Sequence, residues 1–98
     1  MNIINIGALN PQALVLWVES NGLNLLTVDN VEILVKDPYG NNRIWNPDST
    51  EKQIRKLIVR RYYQVGDINL QGRFEIKCKL YLTQGGPIET DIGVLQAR

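Results

Sequence analysis

One stretch of strict alternation, residues 73–83, constrains the fold of this 98-residue chain more than any other feature. Apolar side chains occupy every second position of the stretch, namely Phe74, Ile76, Cys78, Leu80 and Leu82. A period of two residues is typical of a β-strand with one buried face and one solvated face, whereas helical spacing would scatter these side chains around the axis. The pattern therefore predicts a long strand, in which Cys78 acts as a small core hydrophobe.

Shorter strands are predicted on both sides of this stretch, at residues 3–6, 13–19, 31–36, 42–45, 56–64 and 88–95. Residues 37–40 read Asp-Pro-Tyr-Gly and fit a type I turn, because proline presets φ and aspartate accepts backbone hydrogen bonds. Residues 31–46 are therefore predicted to form a hairpin. The Gly-Gly-Pro turn at 85–87 is followed by a predicted last strand whose first face carries Ile88, Thr90, Ile92 and Val94.

Residues 48–63 carry mixed signals. Asp48 followed by Glu51 resembles a helix capping box, whereas the segment 57–59, Leu-Ile-Val, favours a strand. The prediction is one helical turn near 49–54 and then a strand at 56–64. Short strands separated by turns, with no long helix, predict an all-β sandwich of two sheets and about seven strands, forming one domain over residues 1–98.

A net charge of +1 conceals an uneven charge distribution along the chain. Residues 1–51 carry two basic and six acidic side chains, whereas residues 52–79 carry eight basic and two acidic ones. Such asymmetry marks either a contact surface or a merely solvated basic face. The basic side chains predicted to form an interface are Arg55, Lys56, Arg60, Arg61, Lys77 and Lys79. The near-neutral balance of the whole chain argues against nucleic acid as the partner.

Several kinds of chemistry are excluded by composition. The chain has no histidine and one cysteine, so neither a His-activated nucleophile nor a structural zinc site can be built, and no cofactor, metal or enzymatic activity is predicted. The longest apolar run, residues 13–18, is far shorter than the roughly 20 residues of a membrane helix. The first residues show no secretory signal, which predicts synthesis in a cytoplasm without such export.

Trp17 has two interpretations that the sequence leaves open. If Leu14, Leu16 and Val18 face the core, Trp17 faces outward beside Val15, and an outward tryptophan on an apolar strand favours a protein–protein contact. If the register is shifted by one residue, Trp17 is instead the core tryptophan of the sandwich.

The order of motifs resembles that of small immunoglobulin-like structural proteins of tailed bacteriophages. Residues 31–40 followed by 43–45 look like their hairpin of strand, K-x-P-x-G turn and strand. In those proteins a tyrosine-bearing strand follows, and then G-D-(hydrophobic)-x-x-x-G-x-(Y/F)-x-(hydrophobic). Here residues 62–63 are both tyrosine and residues 66–76 fit the second motif. The resemblance covers about residues 12–97.

The resemblance implies an immunoglobulin-like sandwich and a place in the virion. The implied role is that of a capsid auxiliary or decoration protein, made in the host cytoplasm, that binds neighbouring virion proteins such as the major capsid protein. The implied assembly is a homo-oligomer or a symmetric multi-copy array. The basic segment and Trp17 are the expected contacts. The alternatives are a neck, tail or baseplate component, or a module that binds host-surface carbohydrate through Trp17, Trp45 and exposed tyrosines.

The resemblance departs from the immunoglobulin pattern at one informative position. Phe74 stands where the corner that opens strand F usually has a tyrosine, so the hydroxyl bond to the backbone is lost while the ring can still fill the core.

Overall fold

The computed structural model describes residues 2–6, 13–20, 22–67 and 69–97. In these ranges the strands are β1 (Asn2–Ile6), β2 (Ala13–Ser20), β3 (Val28–Lys36), β4 (Asn42–Trp45), β5 (Ser49–Lys52), β6 (Lys56–Tyr62), β7 (Gly72–Leu82), β8 (Ile88–Glu89) and β9 (Gly93–Ala97). One 3-10 helix spans Leu25–Thr27. No helix in the described ranges is long and apolar enough to cross a membrane.

The strands form two antiparallel sheets that pack face to face. The first sheet has the order β1-β2-β6-β5, and the second has β4-β3-β7, with β8 and β9 both pairing with the far side of β7. This is the ABED-against-CFG order of an immunoglobulin sandwich, with β4 as one extra strand beside C. The predicted all-β, two-sheet fold is confirmed.

The hydrophobic core lies between the sheets and is built mainly from alternate positions of β2, β3, β6 and β7. The first sheet contributes Leu14, Leu16, Val18, Leu57 and Val59, and the second contributes Val31, Ile33, Val35, Phe74, Ile76, Cys78 and Leu80. Phe74 is fully buried, as the alternation of residues 73–83 predicts. Burial of such side chains removes apolar surface from water, and this contributes about 25 cal/mol of stabilising free energy per Å² buried. It is the main force that holds the sheets together.

The predicted hairpin at 31–46 is confirmed, and its turn packs against the start of β7. The amide of Gly40 donates to the carbonyl of Asp37 at 2.9 Å, closing the turn. Gly72 has φ of +126°, and a Cβ on it would lie 3.0 Å from the Cβ of Pro38. Glycine is therefore required here both by the backbone conformation and by the close approach of the turn. Ile68, which falls in the motif at residues 66–76, lies outside the described residues.

The predicted helical turn near 49–54 is wrong. Ser49–Lys52 is the edge strand β5, whose residues pair with β6 from Arg60 back to Leu57. The Asp48 carboxylate accepts a hydrogen bond from the amide of Tyr62 at 2.6 Å, so it anchors a hairpin rather than a helix. Strand pairing with β6 outweighs the local capping signal, because it satisfies backbone groups along the whole segment.

The predicted alternation of the last strand, with Ile88, Thr90, Ile92 and Val94 on one face, is also wrong. This strand is split into β8 and β9, and the pairing with β7 shifts by one residue between them, so that Gly93 rather than Ile92 lies opposite Ile76. One extra residue reverses which side chains face inward. Leu95 is therefore buried, whereas Ile92 and Val94 are exposed.

Candidate functional site

The predicted basic interface is divided by the fold between opposite sides of the sandwich. Lys56 and Arg60 lie on β6 with side chains on the outer face of the first sheet, and Arg55 lies in the β5–β6 turn. Lys77 and Lys79 lie on β7 with side chains on the outer face of the second sheet. The structure therefore does not bring the six basic side chains together on one surface.

Arg61 faces the interior and is unavailable to a partner, which corrects its expected place in the interface. Its side chain is 7 % exposed, and its Nε and Nη2 donate to the two carboxylate oxygens of Asp67, each at 3.0 Å. Its Nη1 donates to the carbonyl of Asn46 at 2.6 Å, and the guanidinium lies 5.5 Å from the ring centroid of Trp45. Two signals in the sequence point to this pair: Arg61 has the same strand parity as Leu57 and Val59, and an aspartate follows Gly66.

A second arginine, Arg43, fixes the same end of the sandwich. Its Nη1 donates to the carbonyls of Gly66 and Asp67, at 3.0 and 3.1 Å. Its Nη2 donates to the side chains of Asp37 and Asn69, at 3.1 and 3.0 Å. Four bonds from one guanidinium thus connect the 37–41 turn with the loop that joins β6 to β7.

Asp37 is the acceptor at the centre of that turn. Burial raises the pKa of its carboxyl, but hydrogen bonds from the amides of Asn41 and Tyr39 and the charge of Arg43 outweigh burial and lower the pKa below its ordinary value. Asp37 is therefore a stabilising anion of the turn.

Trp17 lies on the outer face of the first sheet, and this position settles which register β2 has. Leu14, Leu16 and Val18 are buried, whereas Trp17 is half-buried on the opposite side of β2. Trp17 is therefore not the core tryptophan. The buried tryptophan of this sandwich is Trp45, on β4.

Neighbours across the strand pair extend this surface, which we call the Trp17 face and define as Val15, Trp17, Lys56, Ile58 and Arg60. Trp17 lies opposite Ile58, and Val15 lies opposite Arg60. All five side chains are half-buried, so each leaves part of its surface to solvent. Interface cores are enriched in aromatic residues and arginine, and this face carries one of each, Trp17 and Arg60.

The outer face of the second sheet bears a shallow groove of about 400 Å³. We call this surface the groove face and define it by its apolar side chains, Leu34, Ile44, Ile92 and Val94. Ile44 and Ile92 are 59 % and 56 % exposed. Ile44 pairs with Leu34 across the β3–β4 ladder. These aliphatic side chains lie on either side of β7, whose outward residues Glu75 and Lys77 also line the groove.

Two acidic side chains on the outer side of the second sheet, Glu89 and Glu32, have partners on β7. Lys77 Nζ lies 2.5 Å from a carboxylate oxygen of Glu89, and this contact lowers the pKa of Glu89. Farther along β7, the hydroxyl of Tyr81 donates to the carboxylate of Glu32, which raises the pKa of that tyrosine.

Cys78 does not offer a reactive thiol. It is fully buried, and burial raises its pKa to about 12, so the nucleophilic thiolate is suppressed at neutral pH. Its predicted role in the core is therefore confirmed by its position.

No protein-family model, no curated protein and no solved structure matches this chain.

Proposed function

We propose that this protein is a non-enzymatic structural component of a bacteriophage virion, a capsid auxiliary protein that attaches to a neighbouring shell protein through the Trp17 face. The observation that supports attachment is the half-buried Trp17, flanked by Val15 and Ile58 on a regular sheet and bordered by Arg60. The virion assignment depends on the resemblance of the 31–45 hairpin and the 66–76 motif to phage immunoglobulin-like proteins.

The physical chemistry of the Trp17 face suits this role. A tryptophan buries a large area in a contact and loses little conformational freedom, which is why tryptophan and arginine dominate the binding energy of many interfaces. Lys56 and Arg60 at its border, with Arg55 in the adjacent turn, would set orientation and salt dependence more than affinity. Many symmetric copies on a shell turn a modest single contact into stable attachment.

Replacement of Trp17 tests the proposal. Trp17→Ala should lower the content of this protein in purified particles by about tenfold or more, since loss of an interface tryptophan commonly costs at least 2 kcal/mol. Tyr39→Ala is the matched control, because Tyr39 is 78 % exposed in the turn at the end of the sandwich. Melting curves of both free variants establish that they are folded.

Two results would overturn the Trp17 face as the attachment surface: normal incorporation of Trp17→Ala, or an equal loss with Tyr39→Ala. Separation of particles into capsids and tails distinguishes a capsid protein from a neck, tail or baseplate component. Recovery of the protein in the tail fraction alone would contradict the capsid role.

A carbohydrate-binding module is the second candidate, favoured by Tyr62. This residue is 61 % exposed and lies on the same outer side of β6 as Ile58 and Arg60. Tyr62 and Trp17 therefore place two aromatic side chains on the outer face of the first sheet. Trp45 is buried and cannot take part. Binding of the free protein to host-surface glycans, abolished by Trp17→Ala and by Tyr62→Ala, would favour this function over attachment to a shell.

A further inference from the structure

We propose that the attachment surface continues from the Trp17 face onto one end of the sandwich, where an apolar surface of the neighbouring virion protein that carries a carboxylate covers the loops. We call this end the loop end and define it as residues 22–27, 53–55 and 83–87. The inference rests on the proposed function, because it names a further part of the same surface and the chemistry of the partner that covers it.

The Trp17 face supplies only part of the area of a specific contact. It has five residues, all half-buried, whereas stable protein–protein interfaces engage about 20–30 residues a side. The loop end adjoins it, since Lys56 of the Trp17 face directly follows Arg55 in the chain. The loop end adds fourteen residues, so the two surfaces together have nineteen, near the usual size.

Backbone hydrogen bonds hold the three loops of this end in one arrangement. The amide of Leu25 donates to the carbonyl of Ile54 at 2.8 Å, which joins the segment after β2 to the β5–β6 turn. Thr83 donates through its amide and its hydroxyl to the carbonyl of Thr27, each at 2.9 Å, which joins the loop after β7 to the same segment. A surface that is already ordered loses less conformational freedom when a partner binds.

The composition of the loop end is that of a contact rather than of a solvated end. Leu26 is 50 % exposed and Ile54 is 59 % exposed, and they lie on the two segments that the Leu25 amide joins. Arg55 is the single charged residue among the fourteen, in a chain of which 21 % is charged. Depletion of charge is the compositional signal of an interface core.

Arg55 determines the charge of the occupant. Its side chain is exposed and forms no ion pair within the described ranges, whereas Arg60 lies 3.8 Å from Glu51. The next basic residue, Lys56, lies opposite Glu19 across the β2–β6 pairing. Arg55 is therefore the uncompensated charge of this end, and a guanidinium pairs best with a carboxylate. A second copy of the loop end is not the occupant, because it would bring two such arginines together.

Incorporation into purified particles tests the loop end with variants that leave the Trp17 face intact. Ile54→Asn should lower the content of this protein in particles by about fivefold or more, because a polar amide replaces an apolar anchor. Val65→Asn is the matched control, since Val65 is an exposed aliphatic residue in the loop between β6 and β7, at the opposite end of the sandwich. Its incorporation should stay within about twofold of the wild-type value.

The charge of the partner is tested at Arg55. Arg55→Glu should lower incorporation by about tenfold or more, because it sets two carboxylates against each other, whereas Arg55→Lys keeps the positive charge and should stay within about threefold of the wild type. Leu26→Asn repeats the apolar test from the other loop, so that a folding defect in Ile54→Asn does not decide the outcome. Melting curves of the free variants establish that each is folded.

Normal incorporation of both Ile54→Asn and Leu26→Asn would overturn the loop end as a contact, and so would an equal loss with Val65→Asn. Equal incorporation of Arg55→Glu and Arg55→Lys would overturn the acidic partner. Failure of this inference is distinguishable from failure of the proposed function. A loss with Trp17→Ala but not with Ile54→Asn leaves the Trp17 face as the whole contact, whereas the reverse result supports the loop end and removes the Trp17 face.

Discussion

The inner and outer sides of strand β6 carry arginines at consecutive positions, and their surroundings differ in every respect. On the outer side, the side chain of Arg60 is 42 % exposed and lies 3.8 Å from Glu51, which is itself 54 % exposed. On the inner side, Arg61 and Asp67 are 7 % and 8 % exposed and share two hydrogen bonds of 3.0 Å. Because successive side chains of a strand point to opposite faces, a step of one residue separates a surface charge from a buried ion pair.

The difference shows that a run of basic residues in a β-protein does not define a basic surface. An exposed pair such as Arg60 with Glu51 contributes about 0–1 kcal/mol to stability, because water and salt screen it. A buried pair is costly to break, since loss of one partner leaves an uncompensated charge in the interior. The two positions must therefore be tested separately, the inner one for stability and the outer one for contact.

The largest expected effect is on the inner side. Arg61→Met should lower the free energy of unfolding by about 3–5 kcal/mol, because the Asp67 carboxylate loses its buried partner. Chemical denaturation monitored by circular dichroism measures the loss. Adding Asp67→Asn to Arg61→Met should restore part of it, since the amide oxygen still accepts from Gln64 and no buried charge remains. A loss below about 1 kcal/mol for Arg61→Met would mean that Arg61 is solvated like Arg60.

An intermediate effect is expected at Asp37, whose partner Arg43 is 23 % exposed. The pKa of Asp37 is lowered in the folded state, so its contribution is present above the unfolded value of about 3.9 and is lost as the pH falls through the lowered folded value. Melting temperatures of the wild type and of Asp37→Asn, measured from about pH 7 to about pH 2, should therefore converge below about pH 4. Curves that stay parallel through this range would contradict the assigned role of Asp37.

The smallest effect on stability is expected on the outer side of β6. Arg60→Glu should change the free energy of unfolding by less than about 1 kcal/mol, while it lowers particle incorporation and alters its salt dependence. Lys79→Glu is the matched control, because Lys79 is basic and half-buried but lies on the groove face. Equal incorporation of the two variants would remove the basic border of the Trp17 face from the proposed contact.

Local patterns were sufficient to predict most of the strands. The alternation of residues 73–83 places Phe74 and Cys78 inside, because a strand exposes alternate side chains to one side whatever it pairs with. The 31–46 hairpin follows from Asp37 and Pro38, whose preferences act within four residues of chain. Arg61 could also have been placed inside by its parity with Leu57 and Val59.

Pairing between distant segments determined the rest, and no local pattern contains it. Residues 49–54 have a capping signal, yet β6 lies alongside and recruits Ser49–Lys52 as an edge strand. The one-residue shift between β8 and β9 places Leu95 rather than Val94 in the core and thereby leaves Ile92 and Val94 on the groove face. Likewise Arg60 and Lys77 belong to one basic stretch of sequence but to opposite surfaces, because their strands join different sheets. The alternation of a strand is a property of its own backbone, whereas its sheet, its register and its neighbours depend on hydrogen bonds and apolar contacts with residues far away in the chain.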